Sequence, residues 1–358
     1  MVTTLASWNG EELRVVHDEA TDGWIIVAIH STRRGPAAGG VRLKAYPSVE
    51  GAVEDALRLS AGMTRKNAVA GLPCGGGKGV IAIPPSHSTE DRRRLLLMYA
   101  GIVESLDGRF MTGLDFGTSE ADMDVIGTVT SHVFCRSTGA GGSGDASPWT
   151  AAGVFHGLRA SVRHGLATDD LGAVSVLVQG AGDVGARLVG LLVAAGADVI
   201  VADTDAGRVR LLADRYPRVS VLPPERVYET NCDVFAPCAV GGILNRESIA
   251  LLKARVIAGA ANNQLAEAAD AERLRVRGIL YAPDYVINAG GIIRAVGKER
   301  LGWSDAQVDE RIEGIAETLA DIYRIADSDS ITTAAAAERL VDRAGSPARI
   351  RGLRAGLS

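Results

Sequence analysis

The sequence predicts an α/β protein built from two domains. Three observations lead to this prediction: a length of 358 residues, short β-branched apolar runs that alternate with helical segments, and 43 glycines beside an aromatic content of only 4%. Many glycines with few aromatics are typical of proteins with tight turns and close backbone approaches. Residues 137–150 are rich in glycine and serine, and they are the expected boundary between the domains.

Composition narrows the class of protein. The formal net charge of −5 gives no basis for binding nucleic acid or an anionic membrane, and no apolar run reaches the roughly 20 residues of a membrane span. The N-terminal residues lack the basic start and apolar block of a signal peptide. The four cysteines form no CxxC pair, and the six histidines show no metal-ligand spacing. We therefore expect a cytoplasmic protein with no metal and no nucleic-acid or membrane partner.

The second half contains the pattern of a dinucleotide-binding unit. The run VSVLV (174–178) leads into the turn GAGDVG (180–185), an apolar helical stretch and a strand that ends at Asp203. In such a unit the glycines permit a tight turn, close approach to a pyrophosphate and close packing of helix on strand. Asp203 follows at about the 20-residue spacing of the ribose-binding acid. A carboxylate there favours NAD over NADP, although Arg208 and Arg210 temper the preference.

Further apolar runs continue this alternation. They are VSVL (219–222), CDVFAPCA (232–239), ARVIAGAA (254–261) and GILYAP (278–283). They predict a Rossmann-type, doubly wound NAD-binding domain over residues 148–324, after an α/β substrate-binding and catalytic domain over 1–140. Amphipathic helices follow from about Ser304. Those from about 325 to 358 are expected to pack back on the first domain, and the tail at 346–358 is expected to be loosely ordered.

Two lysines and one aspartate are the candidate catalytic residues. Lys66 and Lys78 are embedded among small and apolar residues, and three glycines precede Lys78. A desolvated lysine near a second cation has a lowered pKa and can act as a base near neutral pH, whereas a lysine taken alone is more often solvated on a helix face. Asp115 follows the strand-like RFMTG and faces the same site, unless it is a turn or helix-cap residue.

Five motifs carry a resemblance to a known family. They are GPAAGGVR (35–42), MTRKNAVAGLPCGGGKG (63–79), TGLDFGT (112–118), GAANNQL (259–265) and APDYVINAGG (282–291). In this order they resemble the glutamate/leucine/phenylalanine/valine dehydrogenase family, over about residues 8 to 325. The resemblance implies an NAD-dependent enzyme that interconverts an L-amino acid with its 2-oxo acid and ammonia in a cleft between two domains. It also implies a homo-oligomer.

The resemblance implies a role for each candidate residue. Lys66, with the backbone of Gly39 and Gly40, would hold the substrate α-carboxylate. Lys78 would be the low-pKa base that activates water for attack on the imino acid and polarises the 2-oxo group in reverse. Asp115 would exchange protons with the amino group. Closure of the two halves would exclude water from this chemistry.

The remaining expected contacts are those of cofactor and substrate. The expected cofactor contacts are Thr150, Gly180, Gly182, Asp183, Val184, Gly185, Asp203, Thr204, Asp205, Cys238, Ala239, Ala260, Asn262 and Asn288. The further expected substrate contacts are Ala38, Met63, Gly113, Leu114 and again Asn262.

Two positions bear on the choice of amino acid. Glutamate dehydrogenases resemble the chain at GPAAGG but have a lysine in place of Ala38, so a substrate with an acidic side chain lacks its partner here. Leucine and valine dehydrogenases have larger residues than Ala38 and Gly113, whereas phenylalanine dehydrogenases are similar at both positions and at VGKERLGWS (296–304). An aromatic L-amino acid, phenylalanine above all, is therefore the expected substrate. A branched-chain aliphatic substrate and a catalytically silent nucleotide-binding protein are the alternatives.

Overall fold

A computed structural model describes residue 5 and residues 7–344, and these form two compact units. Among the described residues, the first unit comprises those up to Asp145, the segment Ala295–Gly302 and residues 341–344. The second comprises Ala146–Arg294 and Trp303–Leu340. The division after Asp145 lies inside the glycine- and serine-rich segment at 137–150. The predicted tail at 346–358 lies outside the described residues.

A mixed sheet of six strands organises the first unit. Its elements are β1 (Glu12–Asp18), β2 (Gly23–Ser31), β3 (Ala37–Ala38), β4 (Val41–Lys44), α1 (Val49–Val69), β5 (Gly75–Ala82), α2 (Thr89–Glu104), β6 (Phe110–Met111) and α3 (Glu120–Gly127). The strand order is β1-β2-β5-β3-β6, and β4 pairs with β5 beyond the end of β3. β2 runs antiparallel to both of its neighbours, β1 and β5. β3 and β4 run parallel to β5.

The central strand β2 is buried on both faces. Ile25, Val27 and Ile29 pack in one apolar cluster with residues of α2, whereas Ile26 and Ala28 pack in another with residues of α1. Successive side chains of a strand point to opposite faces, so each face of the sheet buries its own half of the strand. Double burial explains why GWIIVAIHS is apolar almost without interruption.

The glycine cluster before Lys78 is part of a strand. The sequence predicts a strand over GVIAIP (79–84) after a glycine turn, but β5 already begins at Gly75. A Cβ atom on Gly75 would lie 1.8 Å from the carbonyl oxygen of Ser31, and one on Gly76 would lie 2.1 Å from the backbone nitrogen of Thr64. These glycines therefore allow the close packing of strands and helix.

The second unit is a parallel sheet of six strands with intervening helices. Its elements, with the chain that follows, are α4 (Ser147–Leu166), β7 (Ser175–Gln179), α5 (Asp183–Ala194), β8 (Asp198–Ala202), α6 (Ala206–Arg215), β9 (Ser220–Val221), β10 (Val234–Pro237), α7 (Arg246–Leu251), β11 (Val256–Ile257), α8 (Ala269–Val276), β12 (Leu280–Tyr281), α9 (Asp284–Ile287), α10 (Gly290–Glu299), α11 (Asp305–Glu313), α12 (Ile315–Asp329) and α13 (Thr333–Ala344). The order is β12-β11-β10-β7-β8-β9, with every pair parallel. The predicted doubly wound fold is confirmed.

Two segments differ from the predicted domain division. The segment Ala295–Gly302 belongs to the first unit, since the Glu299 carboxylate accepts backbone N–H groups of that unit. Residues 325–340 belong to the second unit. Earlier in α12, the buried hydroxyl of Tyr323 lies 2.7 Å from the Ser161 hydroxyl of α4. Amphipathic periodicity indicated these helices but not their partners.

The four cysteines are free thiols, and Cys74 and Cys135 are buried. Burial raises the pKa of the Cys74 thiol to about 11, so it stays neutral at physiological pH. Over the part of the chain that the structure describes, no helix is long and apolar enough to span a membrane.

A two-point ion pair at the end of β1 leads to the first prediction. Arg94 donates to both carboxylate oxygens of Asp18 at 2.9 Å and Thr21 donates at 2.8 Å, which lowers the pKa of Asp18 to about 2. A folded pKa below the unfolded value gives stability that is present above about pH 4 and is lost as the pH falls through about 2. Because Arg94 is half exposed, Asp18→Asn should lower the free energy of unfolding at pH 7 by only about 1 kcal/mol.

Urea unfolding of wild type and Asp18→Asn at several pH values tests this prediction. The difference between the two proteins should be constant from pH 7 to about 5 and should narrow below pH 4. A difference that stays constant down to pH 3 would show that the carboxylate charge does not carry the stability.

Candidate active site

Lys78 and Asp115 form a buried ion pair in the first unit. Lys78 lies on β5 and shares with Val80 the face that packs against α1. Its side chain is 5% exposed, and its Nζ lies 3.1 Å from Oδ1 of Asp115, whose side chain is 15% exposed. Burial lowers the pKa of the Lys78 ammonium below the usual lysine range, although the Asp115 charge opposes the shift. The pair thus places an amine that can lose its proton beside a carboxylate.

Arg42 completes the charge distribution around Asp115. Its Nε donates to Oδ2 of Asp115 at 2.8 Å, and its Nη1 lies 2.9 Å from Oδ2 of Asp55. Burial raises the pKa of the Asp115 carboxyl, but the charges of Lys78 and Arg42 outweigh burial and hold that pKa below its usual value. Asp115 is therefore ionised. Its backbone N–H donates to the Thr118 hydroxyl at 3.1 Å, which also anchors it.

The turn between β3 and β4 lies against this pair. A Cβ atom on Gly39 would lie 1.9 Å from the carbonyl oxygen of Gly77, and one on Gly40 would lie 2.2 Å from that of Leu114. The N–H of Gly39 donates to the carbonyl of Met111 at 3.1 Å, so this predicted donor to a substrate carboxylate is already committed to the sheet. The two glycines serve the close approach of three backbone segments.

Helix α1 presents the other predicted substrate residues. Met63 and Lys66 are half-buried on this helix. The buried Asn67 beside them donates from Nδ2 to the carbonyls of Ala38 at 3.2 Å and Gly75 at 2.5 Å, which ties the helix to β3 and β5. The side chain of Ala38 has no exposed surface. Sequence analysis did not identify Asn67, although it stands directly after Lys66 in a recognised motif.

In the second unit the predicted glycine turn is formed. Gly180 has φ +105°, and its Cβ would lie 2.9 Å from the backbone nitrogen of Ala239. A Cβ on Gly185 would lie 1.9 Å from the carbonyl oxygen of Gly180. Asp183 and Val184 form the first turn of α5, and no side-chain hydrogen bond caps its N-cap residue Gly182 within the described residues. The exposed N–H groups of that turn and the helix dipole suit a pyrophosphate.

Asp203 stands at the end of β8 as predicted. One carboxylate oxygen accepts the N–H of Ala181 at 2.6 Å and the other that of Asp205 at 2.8 Å. Burial opposes its charge, but these backbone donors lower the pKa of Asp203 below its usual value. Asp205 is the N-cap of α6 and accepts the N–H groups of Gly207 and Arg208, so its carboxylate has a structural role. Thr204 is exposed between these two carboxylates.

A second group of predicted residues lies at the carboxyl edge of this parallel sheet. Cys238 and Ala239 follow β10, and Ala260 follows β11. The amide of Asn288 donates to the carbonyl of Ala260 at 3.0 Å and to Oδ1 of Asn262 at 2.8 Å. Thr150 lies on α4, and its Oγ1 is 2.7 Å from the Cβ position of Gly291, within the same unit.

The residues of this edge fit a dinucleotide. Within the described chain, Oδ1 of Asn288 is buried and accepts no hydrogen bond, so the site offers an acceptor to a donor that binds there. The amide and hydroxyl groups of NAD are such donors. The glycine turn, the open end of α5 and Asp203 would supply the contacts that the adenosine half of a dinucleotide requires.

Comparison with known proteins identifies the family. The sequence profile described as Glu/Leu/Phe/Val dehydrogenase, dimerisation domain, matches residues 14–132, and that of Glutamate/Leucine/Phenylalanine/Valine dehydrogenase matches residues 207–343. The chain belongs to the Glu/Leu/Phe/Val dehydrogenase family. It is an amino-acid dehydrogenase, and its dinucleotide cofactor is NAD.

Individual relatives of this dehydrogenase cover almost the whole chain. It is 42% identical to the leucine dehydrogenase of Bacillus cereus, over 94% of this chain and 91% of the relative. It is 43% identical to the valine dehydrogenase of Streptomyces virginiae, over 95% of this chain and 94% of the relative. The crystal structure of L-tryptophan dehydrogenase from Nostoc punctiforme superposes with a TM-score of 0.79 and 37% identity, covering 96% of this chain and 98% of that chain.

Besides Asn67, sequence analysis missed two residues of the dehydrogenase site, Arg42 and Asp55. Arg42 is the last residue of the motif GPAAGGVR, and the apolar residues Val41 and Leu43 beside it are buried. Asp55 lies on α1, 13 residues further along the chain, and pairs with Arg42. A charged residue between two buried apolar residues of a short strand indicates a partly buried ion pair, but the sequence does not identify the residue that pairs with it.

Proposed function

We propose that this dehydrogenase catalyses the reversible oxidative deamination of an apolar L-amino acid to its 2-oxo acid and ammonia. The buried pair of Lys78 and Asp115 carries the proposal, because it supplies a base and a proton carrier in one place. A branched-chain aliphatic substrate, leucine or valine, is the first candidate. The relatives with 40–43% identity that support it are leucine and valine dehydrogenases.

The mechanism assigns one task to each charged side chain. Lys66 binds the α-carboxylate of the substrate. In its neutral form Lys78 accepts a proton from the water that attacks the imino carbon, and as an ammonium it polarises the 2-oxo group in the reverse direction. Asp115 exchanges a proton with the substrate nitrogen, and Arg42 keeps its carboxylate ionised and oriented. The glycine turn from Gly180 to Gly185, with Asp203, would hold NAD, which would supply the hydride acceptor for the substrate Cα.

An aromatic substrate is the second candidate. Two observations favour it: the small residues Ala38 and Gly113, and the similarity to L-tryptophan dehydrogenase. The leucine and valine relatives outweigh these observations at present, so the sequence-based preference for phenylalanine becomes the alternative. Glutamate is disfavoured because Ala38 offers no cation to an acidic side chain.

Turnover of four 2-oxo acids distinguishes these candidates. NADH oxidation at saturating ammonium is compared for 4-methyl-2-oxopentanoate, phenylpyruvate, indolepyruvate and 2-oxoglutarate. The highest kcat/KM with 4-methyl-2-oxopentanoate supports the branched-chain proposal, whereas higher values with phenylpyruvate or indolepyruvate transfer the assignment to aromatic substrates. If none of the four is reduced while NADH still binds, the leucine and aromatic assignments are both wrong, and the protein either takes an unusual substrate or is the silent nucleotide binder.

Gly113 offers a direct test of the side-chain pocket. A Cβ atom there would meet no atom nearer than the Phe134 Cβ at 3.4 Å, so Gly113→Ala fits without displacing its neighbours. If the position lines the pocket, the added methyl should lower kcat/KM for phenylpyruvate relative to 4-methyl-2-oxopentanoate by roughly 10-fold or more. Gly101→Ala on α2, where a Cβ meets nothing within 4 Å, is the matched control. Equal changes for both substrates would remove Gly113 from the pocket.

We also propose a homo-oligomer located in the cytoplasm. The family description that matches residues 14–132 is that of a dimerisation domain, which supports self-association. Light scattering of the purified protein measures the number of subunits, and a monomer at all concentrations would contradict the proposal.

A further inference from the structure

Glu299, the last residue of α10, makes three hydrogen bonds through one oxygen. Its Oε1 accepts the backbone N–H of Cys135 at 2.8 Å, the backbone N–H of Ser143 at 3.1 Å and the Ser143 hydroxyl at 2.5 Å. All of these residues belong to the first unit. A carboxylate that accepts several backbone N–H groups forms strong, directional bonds, so Glu299 fixes the backbone at Cys135.

Cys135 needs such an anchor because its backbone is strained. Its φ is +59°, in the left-handed region that residues with a Cβ rarely adopt. The residue is buried, and burial, together with the negative charge of Glu299, raises the pKa of its thiol to about 12. The thiol is therefore neutral, and its sulfur lies 3.9 Å from the position that a Cβ atom on Gly113 would take.

Gly113 lies two residues before the catalytic carboxylate of Asp115. The two segments also pair one step earlier, where Thr112 receives the N–H of Phe134 at 2.7 Å on its carbonyl oxygen. Thr118 holds Asp115 from the C-terminal side, since its hydroxyl accepts the Asp115 N–H at 3.1 Å. Cys135 holds the same segment from the N-terminal side. The backbone that carries Asp115 is thus held on both sides, by Thr118 and by the segment of Cys135. Glu299 fixes the second of these contacts through its hydrogen bond to Cys135.

We propose that Glu299 is a positioning residue that sets the reach of Asp115 toward Lys78 by clamping Cys135 against Gly113. The effect on turnover rests on the proposed function, whereas the clamp itself does not. A residue 164 positions away from Cys135 in sequence thereby contributes to the placement of the catalytic carboxylate. A merely structural Glu299 would instead attach the segment Ala295–Gly302 without influence on Asp115.

Three variants separate these roles. Glu299→Ala removes the clamp, whereas Glu299→Gln keeps an acceptor oxygen at the same place and should rescue it. Asp233→Ala is the matched control, because Asp233 accepts the backbone N–H of Ser175 at 2.9 Å and its hydroxyl at 2.7 Å at the amino end of β7. If Glu299→Ala does not fold, Ser143→Ala removes only the hydroxyl bond and tests the same clamp with a smaller expected effect.

The measurements are steady-state kinetics and the alkylation of Cys135 by iodoacetamide, followed by peptide mass spectrometry. Glu299→Ala should lower kcat about 10- to 100-fold with little change in KM, and should accelerate alkylation of Cys135, whereas Glu299→Gln and Asp233→Ala should resemble wild type. An unchanged kcat in Glu299→Ala overturns the proposal, as does an equal loss in Asp233→Ala or in Glu299→Gln. If even wild type shows no turnover, the proposed function fails, and wild-type alkylation rates in Glu299→Ala then overturn the clamp separately.

Discussion

Lys78→Ala is expected to lower kcat for oxidative deamination roughly 10³- to 10⁴-fold, the contribution of a well-placed general base. Lys78 is the amine that touches Asp115, and burial has already lowered its pKa so that a neutral form is available. The neighbouring Arg42 cannot replace it, because a guanidinium does not lose its proton in proteins. The affinity for NADH, measured by fluorescence titration, should persist, since the predicted cofactor contacts lie in the second unit.

Lys78→Arg is the control for charge. It retains a cation beside Asp115 but no base, so its kcat should fall about as far as that of Lys78→Ala. Recovery of turnover in the arginine variant would mean that Lys78 acts only through its charge. Retained turnover in the alanine variant would transfer the role of base to another group.

The pH dependence follows from the direction of the Lys78 shift. Only the neutral amine accepts a proton, so kcat for deamination should rise with pH through the Lys78 pKa and then level off. Because burial lowers that pKa, the rise in kcat should end below about pH 10, where the ordinary lysine pKa lies. The kcat of Lys78→Ala should no longer show this rise with pH, which is the pH limb of the profile. A wild-type profile that still rises above pH 10 would contradict a desolvated base.

The fold of the second unit could be predicted because its signals are local. A β-branched run, the turn from Gly180 to Gly185 and a strand ending at Asp203 follow one another within a short stretch, and each has one dominant structural explanation. The corresponding strands, helix and carboxylate stand where the sequence places them. Likewise, a lysine surrounded by glycines and apolar residues indicated a buried amine at Lys78.

The first unit was harder to predict because its decisive contacts join distant residues. The glycines before Lys78 resemble a flexible turn in sequence, and only their packing against Ser31 and Thr64 shows that they form a strand. Glu299 belongs by sequence to a helix near the cofactor motifs, yet its partners are Cys135 and Ser143. No periodicity or spacing encodes a hydrogen bond across such a separation, so these parts of the site required three-dimensional structure.

Asp115→Asn is expected to have the second largest effect, a loss of roughly 10²- to 10³-fold in kcat. The amide preserves the shape of the side chain but cannot carry the proton between the substrate nitrogen and water. It also removes the negative charge that Lys78 and Arg42 share in a buried site. Lys78 then lacks its paired carboxylate and Arg42 keeps only Asp55, so the free energy of unfolding should fall by about 3 kcal/mol, which urea denaturation measures.

The pH profile of Asp115→Asn separates catalysis from stability. The Asp115 charge raises the pKa of Lys78 against the effect of burial, so its removal should move the remaining pH limb of kcat to lower pH. Asp55→Asn is the matched variant, because Asp55 also pairs with Arg42 at 2.9 Å but does not contact Lys78. Asp55→Asn should lose a similar free energy of unfolding. Its kcat should fall about 10-fold or less, and the pH limb of kcat should shift by less than in Asp115→Asn. If both variants lose kcat equally and neither moves the limb, Asp115 is a structural partner of Arg42 and the proton carrier must be sought elsewhere.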